Sequence, residues 1–147
     1  MTKPQTLNVL IDLTHDAVDE AARRMQQAQQ EKDKAQKQLE LLHSYRLDYA
    51  QRLQTSSQQG VPAAKYLNFQ RFLTTLDEAI SQQNQIVAQS ELRLEAGRKQ
   101  WAAEKRRLGA YETLDTRRRE QQARQMARRE QKANDEMASS LLRRKRG

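Results

Sequence analysis

Apolar side chains recur along the first part of this chain at alternating steps of four and three residues. Eleven of the fifteen positions reached in this way from Leu7 are apolar. A repeat of 3.5 residues held over this length is typical of a coiled-coil helix and does not fit β-strands. We therefore predict a first helix over about residues 5–57. The repeat positions are Leu7, Ile11, Thr14, Val18, Ala21, Met25, Ala28, Lys32, Ala35, Leu39, Leu42, Arg46, Tyr49, Leu53 and Ser56.

A second stretch with the same repeat begins at Phe69. Nine of its thirteen positions are apolar, which predicts a second helix over about residues 63–140. The positions are Phe69, Leu73, Leu76, Ile80, Gln83, Val87, Ser90, Leu94, Gly97, Trp101, Glu104, Leu108 and Tyr111.

The segment "SSQQGVPAAKY" separates the two repeats and contains Gly60 and Pro62. A turn at about 58–62 would make the helices fold back on each other. The fold class predicted is all-α: a long antiparallel two-helix coiled-coil hairpin with a C-terminal helical overhang, forming one domain over 1–147 with a frayed basic tail at 141–147. Glycine and proline total six residues, fewer than a disordered chain would carry.

The position of the turn also predicts which residues face each other. A turn centred near residue 60 places residue i opposite roughly residue 120 − i. The N-terminal end of the first helix, near residue 5, therefore lies opposite about residue 115. The apolar repeat of the second helix stops at Tyr111 or Leu114, close to that limit. The same count places Trp101 opposite Val18, Ala21 and Ala22, which are small enough to leave room for an indole.

Catalytic chemistry finds little support in the sequence. There is no cysteine and no glycine-rich phosphate loop, and His15 and His43 have no second histidine nearby. We predict no enzyme activity, no cofactor and no metal site. The start of the chain does not resemble a signal peptide, and no run approaches the ~20 apolar residues of a membrane span, so we predict a cytoplasmic protein.

Aromatic residues concentrate near the turn: five of the seven lie between Tyr45 and Phe72. Two stripes with the same spacing of four, three and four residues would face each other there, forming an apolar strip that fits a partner-docking site. The alternative is that the strip only thickens the helix interface. The two stripes are Gln38, Leu42, Tyr45 and Tyr49, and Phe72, Leu76, Ala79 and Gln83.

The overhang is strongly basic. From Asp115 to Gly147 there are eleven Lys and Arg against five Asp and Glu, a net charge of +6 out of +8 for the chain. At 100° per residue, a basic stripe that includes Arg117, Arg118, Arg124 and Arg128 occupies one side of the helix. Such a stripe fits an anionic surface, or is an ordinary solvated face.

The central block of the chain resembles the FliJ family, a small soluble component of the bacterial flagellar type III export apparatus. The run "QKQLELLHSYRLDYAQRL…GVPAAKYLNFQRFLTTLDEAI" carries the resemblance, with the motif Y-x-N-F-Q-R-F at Tyr66 to Phe72, and Trp101 further along. The resemblance is strongest across residues 35–80 and extends over the whole length.

The resemblance implies a stalk-like protein without chemistry of its own. It implies binding to the hexameric export ATPase, coupling to the cytoplasmic domain of the export gate membrane protein, and escort and recycling of export chaperones. It also implies a cytoplasmic location at the flagellar base, peripheral to the inner membrane only through partners. The eight residues of the two stripes would contact the gate, and the basic stripe is suggested, on charge alone, to face the ATPase.

Two other interpretations remain open at this stage. The basic stripe could make the chain a nucleic-acid-binding coiled coil, although the overhang has no aromatic residue to stack on bases. Alternatively, the helix could run straight through residue 60 and pair with a second chain as a structural dimer. Neither nucleic acid nor a second copy is the partner that the sequence favours.

Overall fold

The computed structural model describes residues 4–146 and consists of two α-helices. Helix α1 spans Pro4–Gln58 and helix α2 spans Ala63–Arg146. The two helices pack against each other in antiparallel directions, as successive contacts show: Tyr49 meets Phe72, and Gln83 meets Ala35. The predicted fold class, an all-α helical hairpin, is confirmed.

The turn between the helices is built around Gly60. Its φ of 77° lies in the left-handed region, which glycine enters without steric cost. The Val61 N–H donates to the Ser56 carbonyl (3.3 Å), and the Gly60 N–H donates to the Ser57 carbonyl (3.5 Å). These two bonds form a Schellman motif, which closes the last turn of α1. The Pro62 carbonyl then accepts the first hydrogen bonds of α2, from Lys65 (3.0 Å) and Tyr66 (3.2 Å).

The repeat positions of both helices form the interface between them. Of the fifteen repeat positions of the first helix, Arg46 alone is exposed, and all thirteen repeat positions of the second are buried or half-buried. The most deeply buried apolar residue is Leu94, with 2% of its surface exposed. Buried Thr14 and Ser90 satisfy their hydroxyls locally, by donating to the carbonyls of Leu10 and Val87.

The described chain divides into two compact units, one formed by residues 19–103 and the other by residues 4–18 together with 104–146. The first unit contains the turn and the aromatic residues around it. The second unit contains the N-terminal part of α1 and the basic part of α2. That the whole chain acts as one domain stays a prediction.

Helix α2 extends further toward the C-terminus than the predicted end near residue 140, and residue 147 of the predicted tail lies outside the described residues. Helix α2 continues through Arg146, whereas residues 141–147 were expected to fray. Leu, Arg and Lys are favourable helix formers, and nothing from 141 to 146 is a glycine or proline that would end the helix. Four basic side chains, Arg143, Arg144, Lys145 and Arg146, also lie in the last turn, where they complement the helix dipole.

Candidate docking face and basic stripe

The structure brings the two predicted stripes together at both of their ends. The rings of Tyr49 and Phe72 lie 4.4 Å apart between centroids. At the other end, Gln83 lies within hydrogen-bond distance of Gln38, at 3.3 Å. The rule that residue i faces residue 120 − i placed residue 49 opposite 71 and residue 83 opposite 37. The observed pairs agree with this rule within a few residues in the unit of residues 19–103.

The eight stripe residues differ in how far a partner could reach them. Tyr45 and Phe72 are 48% and 42% exposed, and Gln38 is also exposed. Leu42, Tyr49 and Ala79 are half-buried. Leu76 and Gln83 are buried, because they occupy repeat positions of α2 and face α1. A partner therefore reaches Leu76 and Gln83 less easily than the sequence suggested. The part that each residue plays in docking stays a prediction.

Two exposed apolar residues lie beside the stripes, and the residue spacing considered above did not predict them. Leu41 is 52% exposed and precedes Tyr45 by four residues, one helical turn. Ile86 is 46% exposed and follows Ala79 by seven residues, two turns along the same side of α2. Ile86 follows Phe72 and Ala79 at the same spacing of seven residues, and this spacing could have predicted its exposed position. We use the name docking face for Gln38, Leu41, Leu42, Tyr45, Tyr49, Phe72, Ala79 and Ile86.

Aromatic packing near the turn gives one end of the docking face a defined shape. The Tyr49 ring contacts Phe72 and lies 6.2 Å from Phe69, and the Arg52 guanidinium lies 5.5 Å from the centre of the Tyr49 ring. Tilted ring pairs and a cation over a ring face are favourable arrangements. Half-buried Tyr49 therefore packs against Phe72, which stays partly exposed to solvent.

An ion pair connects the two helices beside this cluster. Arg46 donates from Nε to Asp77 Oδ1 across the interface. The hydrogen bond and the charge of Asp77 raise the pKa of Arg46 above its ordinary value. Arg46 occupies a repeat position, and its long side chain carries the charge out to solvent, which explains how an arginine is accommodated in the repeat.

The basic stripe is not uniform. Arg117, Arg124 and Arg128 are exposed, but the side chain of Arg118 is only 24% exposed. Arg118 donates from Nη2 to Asp115 (3.1 Å), and its Nε and Nη1 are buried with no hydrogen-bond partner among the described residues. Since positions 115 and 118 continue the repeat of α2, they are half-buried, while Leu114 is 51% exposed. The half-buried side of α2 thus continues with this polar pair beyond the last apolar repeat position, and Arg118 is not a freely available cation.

The described residues outside these surfaces include a His–Glu pair between the helices. His15 lies 3.5 Å from Glu112 in an exposed pair that joins α1 to α2. Within the part of the chain that the structure describes, no three His, Asp or Glu residues are grouped as metal ligands. Neither described helix has a stretch that combines the length and apolar character needed to cross a membrane.

Two long antiparallel helices with a 3.5-residue apolar repeat between them define the class of coiled-coil helical hairpins. The model of the family described as "Flagellar FliJ protein" matches residues 2–147. Two curated relatives carry the name flagellar FliJ protein. That from Salmonella typhi is 31% identical over 145 residues, and that from Escherichia coli strain K12 is 30% identical over 145 residues; in both cases the match covers 99% of each chain. The chain belongs to the flagellar FliJ family, as its central block indicated.

Proposed function

We propose that this chain is a non-enzymatic component of the flagellar type III export apparatus, and that it links the export ATPase to the export gate. Family membership supports the flagellar assignment. The observation that carries the linking role is the docking face, where Tyr45 and Phe72 are nearly half exposed and the apolar side chains of Leu41 and Ile86 are exposed as well. Exposed aromatic residues on a rigid helical support are typical anchors of protein interfaces.

The docking face fits the gate contact. Its centre is apolar, and Gln38 adds a polar group at one end. All of its residues belong to the unit of residues 19–103, where the helix interface and the aromatic cluster hold them in place. A partner that covers Tyr45, Phe72 and Ile86 would remove apolar surface from water without first ordering a loop.

The basic stripe fits the ATPase contact. Arg117, Arg124 and Arg128 lie on one side of α2, and every residue from 119 to 146 is exposed. Charges of this kind attract an anionic surface over a distance of about one Debye length, ~8 Å at physiological ionic strength. The three arginines belong to the other unit of the chain, so the two proposed contacts use separate surfaces. We also propose that the chain escorts export chaperones, and we assign no surface of the chain to that contact.

The decisive experiment measures binding of the gate's cytoplasmic domain to the Tyr45→Ala variant. Loss of an exposed aromatic anchor should weaken the complex at least tenfold, with helix content unchanged by circular dichroism. The matched control is Leu92→Ala, because Leu92 is 72% exposed but lies outside the docking face. Equal binding by wild type and Tyr45→Ala would remove the gate assignment.

Charge reversal separates the ATPase contact from a nucleic-acid contact. Changing Arg117, Arg124 and Arg128 to Glu should abolish co-purification with the ATPase. Wild-type binding to duplex DNA that falls steeply with salt, without any binding to the ATPase, would instead support the nucleic-acid alternative.

A further inference from the structure

Gln83 is a buried polar residue at a position where the repeat calls for an apolar one. It is 8% exposed, and it faces Ala35, which is 5% exposed and small enough to leave room for the amide. Its Nε2 donates to the Ala35 backbone carbonyl (2.9 Å) and to Gln38 Oε1 (3.3 Å). Both hydrogens of this amide nitrogen are therefore used across the helix interface.

The Ala35 carbonyl determines the orientation of the Gln83 amide. A carbonyl oxygen can only accept, so the atom of Gln83 that lies 2.9 Å from it must be the nitrogen. The reversed amide would bring two acceptor oxygens together in a buried site, which is strongly unfavourable.

The orientation of Gln83 in turn determines that of Gln38. The second hydrogen of Gln83 Nε2 needs an acceptor, so the atom of Gln38 that lies 3.3 Å away must be Oε1. The Gln38 Nε2 is then the free end of that amide, on an exposed residue of the docking face. It lies on the same helix as exposed Leu41 and Tyr45.

We propose that Gln83 is a positioning residue that holds the Gln38 amide with its N–H donors toward solvent, so that the docking face recognises a partner presenting a carboxylate or carbonyl oxygen beside an apolar surface. Gln83 then contributes to docking without touching the partner. The partner half of this proposal rests on the proposed function, whereas the orientation of Gln38 does not.

The orientation is tested by NMR on the free protein, through ¹⁵N relaxation of the Gln38 side-chain amide. Gln83→Met keeps the length and unbranched shape of the side chain but removes both donors. The Gln38 amide should be ordered in the wild type and mobile in Gln83→Met. Gln82→Met, an equal change at the neighbouring exposed position, should leave it ordered. Equal mobility in all three proteins would overturn the positioning role.

The partner chemistry is tested by binding of the gate's cytoplasmic domain. In Gln38→Glu, the carboxylate still accepts from Gln83 but has no donor to offer, so binding should weaken by about two- to tenfold. Gln83→Met should weaken binding in the wild-type background and have no further effect in Gln38→Ala. Unchanged binding by Gln38→Glu, beside a loss in Tyr45→Ala, would overturn the acceptor chemistry while leaving the gate contact intact. Absence of binding by the wild type would overturn the gate contact and, with it, this half of the proposal.

Discussion

Gly97 lies where α1 and α2 approach each other closely. A Cβ added at this position would lie 3.4 Å from the Cα of Met25, at the edge of ordinary van der Waals contact. Gly109, on the same helix, has nothing within 4 Å of such a Cβ. Replacing each glycine by alanine therefore compares two effects on stability. At Gly109 only the helix propensity changes, whereas at Gly97 the packing between the helices changes as well.

Gly109→Ala should stabilise the protein by about 1 kcal/mol, because alanine is the better helix former and its methyl group meets no neighbour. Gly97→Ala gains the same helix propensity, but its methyl group would lie at the tight edge of van der Waals contact with the Met25 backbone, so its net gain should be smaller. Urea denaturation of both variants checks this. A larger gain for Gly97→Ala than for Gly109→Ala would contradict it.

Glu20 illustrates how a surface charge responds to its own helix. Arg23 donates a hydrogen bond to it at 3.1 Å and Arg24 a second at 3.2 Å. The hydrogen bond from Arg23, followed by the charge of Arg24, lowers the pKa of Glu20 below its ordinary value. A carboxylate with a lowered pKa stabilises the folded state at pH values above its unfolded pKa, and that contribution is lost as the pH falls through the folded pKa.

Arg23→Gln should therefore raise the pKa of Glu20 toward its ordinary value, and Arg24→Gln should do so to a smaller extent. An NMR titration of the Glu20 carboxyl carbon measures both shifts. Arg128→Gln, far along α2, serves as the control and should leave the titration of Glu20 unchanged. A Glu20 pKa that does not respond to Arg23→Gln would show that the hydrogen bond is not the main cause.

At the scale of the helices, the interface combines large residues with small and polar ones. Leu7, Leu76, Ile80 and Leu94 are buried apolar side chains, whereas Ala21, Ala35 and Ser90 are small residues at equivalent positions. Burial of an apolar side chain contributes roughly 1.5–3 kcal/mol. The large residues therefore supply most of the stability, and the small ones set how closely the helices approach.

Leu94→Ala should cost about 2–5 kcal/mol, because Leu94 is 2% exposed and its removal leaves a cavity between the helices. Leu92→Ala makes the same chemical change at a position that is 72% exposed, and should change the stability by less than about 0.5 kcal/mol. Thermal unfolding of the two variants gives the comparison. Similar costs at both positions would mean that the helix pairing differs from that described.

At the scale of the whole chain, the two units differ in what their surfaces offer. Residues 19–103 carry the docking face, and α2 beyond residue 118 is exposed along its entire described length. A segment without buried residues adds little to the stability of the fold. It is therefore available for charge-based contacts, in keeping with the proposed role of the exposed arginines.

A chain that ends after Glu120 should have the same free energy of unfolding as the full chain, within about 0.5 kcal/mol, because all the removed residues with a described structure are exposed. Its denaturant midpoint should therefore be unchanged. It should also lose binding to the ATPase. A chain that ends after Leu108 is the control: it also removes half-buried Tyr111, Asp115 and Arg118 and should be clearly less stable. A large loss of stability in the chain that ends after Glu120 would show that the part of α2 after Glu120 packs against other residues.

The docking face was predictable from the sequence in part. Tyr45 and Phe72 could be found because aromatic residues one position beside a repeat are visible in the spacing. Ile86 was missed because it stands apart from the aromatic cluster. Leu76 and Gln83 were placed in the strip although the repeat already assigned them to the interface, since spacing alone does not measure how much of a side chain the opposite helix covers.

The sequence by itself predicted the two helices and a turn between them, with antiparallel pairing as the favoured arrangement. These predictions depend on local helix propensity, on the 3.5-residue repeat and on the glycine and proline between the two repeats, all of which are visible in the sequence. Only the tertiary structure decided that Arg118 is half-buried beside Asp115, and that Gln83 reaches the Ala35 carbonyl and Gln38. The contacts of Gln83 join residues far apart in the chain and depend on distances of a few ångströms. A periodic pattern specifies the side of a helix without specifying those distances.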